Sequence, residues 1–384
     1  MKRANNLFWW ALALVVAALP AYMLRFTIGV LPTNVFEVAV GIVFVWWCAL
    51  RAPMKAEFVR FRPLTIPLIL IAIGLVVGVA RAPNTLDALG FVKSFFLVPI
   101  VLATMRGSVI ATHKGRDRIA RAFIFGGFLV VFEAAAGWIF RSGVSADERL
   151  IGLFTHPNYL GMFVAPFIPL FVWGKFSRPF RMIASALAIL ILVATLSRAA
   201  LIASAIGTLA VPLIQNTAKR RALGWVVGLA GLGIVAAVVL IAIGSRVDTS
   251  DSIRIEIWRT TAQILRANPI WGIGLSGFQT VFTELTHERV NFLAYISPVA
   301  LTPHNLFLAA WVQMGIFGFA GFITLAWYTL RQLYLQRAQI WTGAFLGAFI
   351  VILSYGMLDT PYFKNDLAAL WWIVTAFALT KARA

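Results

Sequence analysis

The sequence predicts an all-α polytopic membrane protein, and three observations support this fold class. Of the 384 residues, 61% are hydrophobic and only 12% are charged. The mean hydropathy is +0.88. A spanning helix needs roughly 20 residues, so the chain is long enough for many spans and leaves little for a separate soluble domain. This composition excludes a disordered chain, a coiled coil and a collagen-like repeat.

Apolar runs bounded by charged or Pro/Gly-rich breaks predict about twelve spans within one membrane domain, 1–384. The predicted spans are 7–24, 35–50, 64–80, 89–104, 120–140, 158–173, 182–197, 199–216, 222–244, 305–328, 340–358 and 367–380. No convincing cleavage site follows residues 7–24, so we interpret them as the first helix and not as a signal peptide. Cys48 is the single cysteine, which excludes a disulfide within the chain.

The distribution of charge predicts the orientation of the chain. A formal net charge of +19 could indicate nucleic-acid binding, but most of the 33 Lys and Arg residues lie in the termini and loops on one side of the predicted bundle. These basic loops lie near 51–62, 106–121, 175–181 and 219–221. By the positive-inside rule they are cytoplasmic, with both termini inside, and they explain the charge without nucleic acid.

Residues 245–303 form a long external loop between predicted spans nine and ten, and this length is typical of a functional segment. The pattern predicts a helix over 251–268 that stops at Asn268-Pro269. Its apolar face contains Ile253, Ile257, Trp258, Thr261, Ile264 and Leu265, while Arg259 and Arg266 lie on the opposite, polar face. Arg254 falls within the apolar face. An unpaired guanidinium there is costly, so Arg254 is expected to meet an anion, a wet cavity or a structural salt bridge.

Several charged residues lie within or beside the predicted spans. Glu37, Lys93 and Glu133 fall in the outer halves of their helices, and Arg198 lies at the outer turn between spans seven and eight. Charges within a membrane are costly and typical of substrate sites. Buried ion pairs and a lysine that reaches the headgroups are the alternative. The sequence leaves the roles of these three intramembrane residues, and that of Asp359, open.

Two histidines lie at matching positions before predicted spans. His156 precedes Pro157-Asn158, and His304 follows Pro303 and precedes Asn305. Either histidine could cap a helix, but a histidine is also a suitable general base at neutral pH. Arginines bind phosphate oxygens and stabilise a departing diphosphate. Together these residues predict a site for a lipid-linked phosphate donor at the outer membrane surface. No cysteine set, His-x-x-x-His or external Asp-x-Asp pair predicts a metal, and no cofactor is expected.

The segment from Asn268 to Phe278 contains Gly272, Gly274 and Gly277. It follows a predicted helix and is not a strand-to-helix turn, so we reject a nucleotide-binding fingerprint. Glycines here are expected to let the backbone approach a helix or a glycan closely.

The order of these motifs resembles the O-antigen ligase/polymerase family of membrane glycosyltransferases. The resemblance extends over about 150–365, and the motifs that carry it are Thr195-Leu196-Ser197-Arg198, Arg254 with Trp258, Pro269-x-x-Gly272-x-Gly274-x-x-x-Phe278, His304-Asn305, Gly315-x-x-Gly318, His156-Pro157-Asn158-Tyr159-Leu160-Gly161 and Asp359-Thr360-Pro361-Tyr362-Phe363. The resemblance implies a twelve-helix fold of the GT-C type, with a long periplasmic loop between helices nine and ten, in the bacterial inner membrane.

The resemblance also implies an activity. The donor would be a glycan on undecaprenyl diphosphate, transferred with inversion and without metal at the periplasmic face. His304 matches the family's catalytic histidine, and Arg198 and Arg254 match its diphosphate-binding arginines. Asn305, Asn158 and His156 are expected to orient the glycan or the base. The acceptor is lipid A-core in the ligases and a lipid-linked glycan in the polymerases, and the sequence does not separate the two. A lipid-linked glycan transporter is the alternative from another class, but transporter sites lie at the membrane midplane.

Overall fold

The computed structural model describes residues 2–29, 31–50, 59–110, 112–215, 247–286 and 302–380, and helices dominate this part of the chain. The helices are α1 (Lys2–Ala17), α2 (Val35–Ala49), α3 (Thr65–Ala80), α4 (Thr85–Val92), α5 (Val98–Ile110), α6 (His113–Ile139), α7 (Pro157–Val164), α8 (Phe167–Trp173), α9 (Arg178–Ala194), α10 (Arg198–Gln215), α11 (Val247–Ala267), α12 (Phe278–Thr286), α13 (Leu306–Leu335), α14 (Ile340–Tyr355) and α15 (Asn365–Leu379). Strands β1 (Arg25–Ile28) and β2 (Leu31–Asn34) pair as an antiparallel hairpin.

In the described part of the chain, five helical stretches are long enough and apolar enough to cross a membrane. These stretches are Val59–Ala80, Thr85–Met105, His113–Ile139, Arg198–Gln215 and Leu306–Leu335, and shorter apolar helices accompany them. On α3, Ile66, Ile69, Ile73 and Val76 are exposed, as an outer face in contact with lipid requires. The prediction of an all-α membrane protein is therefore confirmed. The count of twelve spans and the GT-C type stay predictions, and predicted span 222–244 lies outside the described residues.

The centre of the bundle is α15, which packs against α5, α13 and α14. Its sequence is apolar on all sides, and such a helix is stable only when it is surrounded by other helices. Trp371 and Trp372 are accordingly fully buried. Around this centre α3 packs along α13, where Gly74 and Gly318 leave no room for a Cβ atom between the two backbones. Small residues of this kind allow close helix packing in membranes.

The first predicted span differs from the structure in its second half. The prediction was a helix over 7–24, but α1 ends at Ala17 and a 3₁₀ turn, Leu19–Met23, follows. Pro20 stands at the start of this turn. Proline has no N–H to donate to the preceding turn of an α-helix, which explains the break. The hairpin of β1 and β2 then leads to α2, and the sequence analysis did not predict it.

The helix predicted within the external loop is confirmed as α11, which ends at Ala267, directly before Asn268. The glycine-containing segment that follows packs against α13. Ile273 N–H donates to the carbonyl of Val312 (2.8 Å), and Ile316 N–H donates to that of Ile270 (2.8 Å). Gly315 interrupts the regular helix at this point with a φ of 63°. Residues 245–246 and 287–301 of the predicted loop lie outside the described residues.

Gly272 and Gly274 explain why this segment is glycine-rich. Both have positive φ, and a Cβ atom on either would collide with backbone atoms, of Val312 at Gly272 and of Arg81 at Gly274. The glycines therefore allow close backbone approach to neighbouring helical segments, one of the two uses expected from the sequence.

Candidate active site

His304 lies beside a buried carboxylate. Its Nδ1 is 3.3 Å from Oδ1 of Asp359, and the two side chains are 16% and 5% exposed. Thr360 N–H also donates to Asp359 Oδ1 (2.8 Å). Burial alone would raise the pKa of Asp359, but the adjacent imidazole of His304, together with Thr360 N–H and the charge of Arg254, lowers this pKa below its ordinary value. A carboxylate at Nδ1 orients an imidazole so that Nε2 can exchange a proton with a substrate.

The backbone around His304 is held in an uncommon conformation. His304 has a φ of 45°, and Leu196, two residues before Arg198, has a φ of 52°. Positive φ is rare outside glycine and is a clear outlier for a bulky residue such as leucine. Such strain costs about 1–3 kcal/mol and persists where surrounding contacts impose it, often at functional sites.

Asn305 holds the start of α13. Its Oδ1 accepts the N–H groups of Phe307 and Leu308, each at 3.0 Å, and its Nδ2 donates to the carbonyl of Met357 at 2.9 Å. The side chain therefore caps α13 and connects it to the segment that carries Asp359. Asn305 can therefore orient the adjacent His304, because it fixes the backbone at the start of α13.

Helix α11 brings Arg254 toward this pair. Ile257 and Thr261 are fully buried and Arg259 is exposed, as the predicted faces require. Trp258 Nε1 donates to the carbonyl of Pro303 (3.0 Å), the residue before His304. Arg254 lies one turn earlier on the same side of α11. Its charge acts on Asp359 and on Tyr355, so α11 delivers a guanidinium to the surroundings of the His304–Asp359 pair.

Arg198 begins α10, directly after a turn that is hydrogen-bonded into the same region. Ser197 Oγ lies 3.1 Å from the hydroxyl oxygen of Tyr355. Tyr355 ends α14, and its carbonyl accepts the N–H of Asp359 (3.0 Å). Arg198 is half-buried. Two hydrogen bonds therefore connect the turn before Arg198 to the backbone of Asp359.

Arg149 is the residue that the sequence analysis missed. Its Nε donates to the carbonyl of Thr195 (2.8 Å), and its Nη2 donates to Oδ1 of Asn158 (3.1 Å). The guanidinium thus joins the segment before α7 to the turn before Arg198. In the sequence Arg149 is one charged residue of an irregular stretch, and no periodic pattern marks it. Only the tertiary contact identifies it.

His156 and Asn158 lie at the start of α7. His156 Nδ1 accepts the N–H of Asn158 (3.1 Å) and caps the helix. Burial, together with the charge of Arg149, lowers the pKa of His156, and the charges of Asp359 and His304 also act on it. His156 is therefore both a helix cap and a neighbour of the His304–Asp359 pair. Asn158 is connected to the site through Arg149.

The intramembrane charges Glu37, Lys93 and Glu133 make contacts within the protein. Lys93 Nζ lies 2.8 Å from Oε2 of Glu37. Thr33, Ser94 and Asn365 also donate hydrogen bonds to Glu37. Glu133 Oε2 accepts the N–H of Leu153 (3.2 Å). Glu37 therefore forms an ion pair, as the alternative interpretation of the sequence allowed, and its partner is Lys93.

Comparison with known proteins identifies the region that contains the candidate base and both predicted arginines. Residues 183–323, from α9 into α13, match the family model described as O-antigen ligase. The resemblance found in the sequence is thereby confirmed. The matched range contains Arg198, Arg254 and His304, whereas Arg149 and Asp359 lie outside it.

A relative from Rickettsia typhi, named "Putative polysaccharide ligase", is 25% identical to this chain over 123 residues. The match covers 32% of the chain and 29% of the relative's length. The matched region and the apolar helices together indicate a multi-pass membrane protein.

Proposed function

We propose that this protein transfers a glycan from undecaprenyl diphosphate to a sugar hydroxyl of lipid A-core, or of a similar acceptor, at the periplasmic face of a bacterial inner membrane. The contact between His304 and Asp359 carries this proposal, because it places a carboxylate behind the imidazole and the charge of Arg254 also acts on that carboxylate. His304 and Arg254 both lie in the region that matches the O-antigen ligase family model. The donor and acceptor classes come from the family resemblance.

Each step is assigned to a group of this chain. Nε2 of His304 takes the proton of the acceptor hydroxyl as its oxygen attacks the anomeric carbon of the donor sugar. The bond between that carbon and the diphosphate oxygen breaks, and the diphosphate leaves with the bonding electrons. Attack from the side opposite the diphosphate inverts the anomeric configuration. Arg254 and Arg198 offset the charge that develops on the diphosphate.

The remaining residues support these groups. Asp359 stabilises the imidazolium that forms on His304. Asn305 fixes the backbone of the base, and Arg149 holds the turn before Arg198. His156 and Asn158 orient the glycan or this local structure. No step requires a metal ion or a cofactor.

The test uses the purified protein with a lipid-linked glycan donor and lipid A-core. Replacement His304→Ala is expected to lower transfer on the order of 10²–10⁴-fold, the typical contribution of a general base. His113→Ala, at an exposed position at the start of α6, is the control and is expected to keep full activity. Full transfer by a folded His304→Ala protein would remove the assigned base.

The same assay separates the ligase from the alternatives. Label on lipid A-core supports a ligase, whereas label on a second lipid-linked glycan supports a polymerase of the same family. Movement of the donor across liposomes without a new glycosidic bond would support a transporter and would contradict the proposal.

A further inference from the structure

A cavity with both polar and apolar lining lies outside the candidate active site. It has a volume of about 380 Å³ and lies between the hairpin of β1 and β2, helix α4 and the π turn Lys93–Leu97 that follows it. Ser276 and Asn365 complete its wall. Its lining does not include His304, Asp359 or the two arginines assigned to the diphosphate. The volume lies in the range of small-ligand pockets, about 300–1,000 Å³.

The lining of this cavity combines hydrogen-bonding groups with aromatic rings. Glu37 is 7% exposed. Its carboxylate accepts hydrogen bonds from Thr33 (3.0 Å), Ser94 (2.6 Å) and Asn365 (3.2 Å). These contacts fix the directions of two hydroxyl groups and one amide. Phe91, which also lines the cavity, offers an apolar surface. Fixed polar groups beside an aromatic ring suit a sugar, which has hydroxyl groups at its rim and C–H groups on its faces.

The charges around the cavity distinguish it from a diphosphate site. Arg25, Glu37 and Asp87 line the cavity, and Lys93 pairs with Glu37 at 2.8 Å. Two positive and two negative groups are therefore close to balance. A diphosphate requires an excess of positive charge, as the arginines near His304 provide. This balance favours an uncharged, polyhydroxylated ligand.

A short segment of the chain connects the lining of the cavity to the candidate active site. Asn365 follows Asp359 by six residues, so their Cα atoms are at most about 22 Å apart. The connecting segment is fixed, because Tyr362 donates a hydrogen bond to the carbonyl of Phe95 (2.8 Å). Lys364 Nζ also lies 3.3 Å from the ring centre of Tyr159, which follows Asn158.

We propose that this cavity is a glycan subsite, which binds an uncharged sugar unit of the donor or acceptor beside the unit that reacts. This inference rests on the proposed glycan transfer, and it adds a binding site that the diphosphate arginines do not provide.

Two glycines provide a matched test. Gly90 lines the cavity, lies within α4 and has no atom within 4 Å of a Cβ placed on it. A Cβ atom therefore fits at Gly90 without a collision, and the replacement Gly90→Trp adds an indole at the lining of the cavity. Gly41 lies within α2, has equally open space around it and is absent from the lining. Gly41→Trp makes the same change in size and in helix propensity outside the cavity.

The probe is the oligosaccharide released by mild acid from the lipid-linked glycan pool of the source cells, without its diphosphate. Binding to the purified full-length protein is measured by saturation-transfer NMR. The wild type and Gly41→Trp are expected to bind the probe, whereas Gly90→Trp is expected to bind it about tenfold or more weakly, as the loss of one or two hydrogen bonds implies. Arg254→Ala is expected to bind the probe like the wild type, because the probe has no diphosphate.

Kinetics then distinguish the two sources of the sugar. Gly90→Trp should raise the KM of the donor if the donor supplies the bound sugar, and that of the acceptor if the acceptor supplies it. A donor with a single sugar tests the first case, because it has no second sugar to place in the cavity. Equal binding of the probe by the wild type and Gly90→Trp, or no saturable binding by the wild type, would overturn the subsite. The proposed function would instead be contradicted if the wild type binds the probe more tightly than Gly90→Trp does but transfers no glycan.

Discussion

At the scale of single residues, the candidate site depends on one carboxylate behind one imidazole. Asp359 keeps its charge despite burial, because His304, Thr360 N–H and Arg254 together outweigh the cost of desolvation and lower its pKa. The imidazole of His304 therefore lies next to a negative carboxylate. The positive φ of His304 fixes this geometry at the expense of local strain.

Replacement Asp359→Asn tests this pair. The amide is nearly the same size, but it carries no charge to stabilise the imidazolium. We expect kcat to fall on the order of 10²–10⁴-fold, with little change in the KM of the donor. Steady-state transfer kinetics provide the measurement. Asp117→Asn, at the opposite end of the bundle where Asp117 pairs with Lys175, is the control. An unchanged kcat in Asp359→Asn would show that the carboxylate is not needed.

His156 gives a prediction about pH. Burial and the charge of Arg149 lower its pKa in the folded protein from the ordinary 6.5. The unfolded chain therefore takes up this proton first as the pH falls. The stabilising contribution is complete above about pH 6.5 and is lost as the pH falls from this value through the lower pKa of the folded state. Protonation of Nδ1 would also remove the acceptor that caps α7.

Replacement His156→Asn keeps a good helix cap and removes the titrating group. We expect the Tm of the wild type to fall more steeply than that of His156→Asn as the pH falls from about 7.5 to about 5. Parallel Tm curves would contradict the assignment. His156→Ala should lower stability by about 0.5–2 kcal/mol at neutral pH through loss of the cap.

At the scale of elements, α11 is the helix that joins the diphosphate arginine to the base. Its buried face packs under α13, where Ile257 and Ile264 meet Val312 in one apolar cluster. Trp258 donates a hydrogen bond to the carbonyl of Pro303, which directly precedes His304. The spacing between Arg254 and Trp258 therefore sets the position of the guanidinium relative to the imidazole.

Replacement Trp258→Phe removes the indole N–H and keeps an aromatic ring. We infer a positioning role, so kcat should fall by about threefold to tenfold, which matches the net value of one hydrogen bond, while the donor KM changes less. Trp311→Phe loses the same kind of bond, from the indole to the carbonyl of Pro269 (2.7 Å), and is expected to keep its kcat. An equal loss of kcat in both variants would indicate a general effect on packing.

At the scale of the whole molecule, the contacts divide the bundle into two ends. At one end, Lys175 pairs with Asp117 (3.3 Å), and Arg116 donates to the carbonyl of Thr380 (2.8 Å). The candidate site and the glycan cavity lie at the other end, where α14 ends and α13 and α15 begin. This division agrees with the basic loops that the sequence assigns to the cytoplasm, although the orientation itself stays a prediction.

Labelling of single cysteines tests this orientation. In a Cys48→Ser background, Arg259→Cys lies on the exposed face of α11 and Arg178→Cys lies at the exposed start of α9. A membrane-impermeant maleimide added to intact spheroplasts is expected to label Arg259→Cys and not Arg178→Cys, because only the first faces outward in the predicted topology. Labelling of both after the cells are opened shows that each thiol is reactive. The opposite pattern would place the site in the cytoplasm.

The sequence by itself determined the membrane class, helix α11 and the resemblance to the O-antigen ligase family, because each depends on local periodicity or on the order of short motifs. It also identified His304, Arg198 and Arg254 as site candidates. It missed the end of α1 at Ala17, although Pro20 was a local signal, and it missed the hairpin after it.

Only the tertiary structure decided which residues meet at the site. Arg149 and Thr195 are far apart in the sequence, as are His304 and Asp359, and their contacts depend on how helices pack across the bundle. The same packing pairs Glu37 with Lys93 and brings together the residues that line the cavity. Periodicity reports which face of a helix is apolar, but it carries no information about which other helix that face will meet, because many helix pairs can bury the same apolar area.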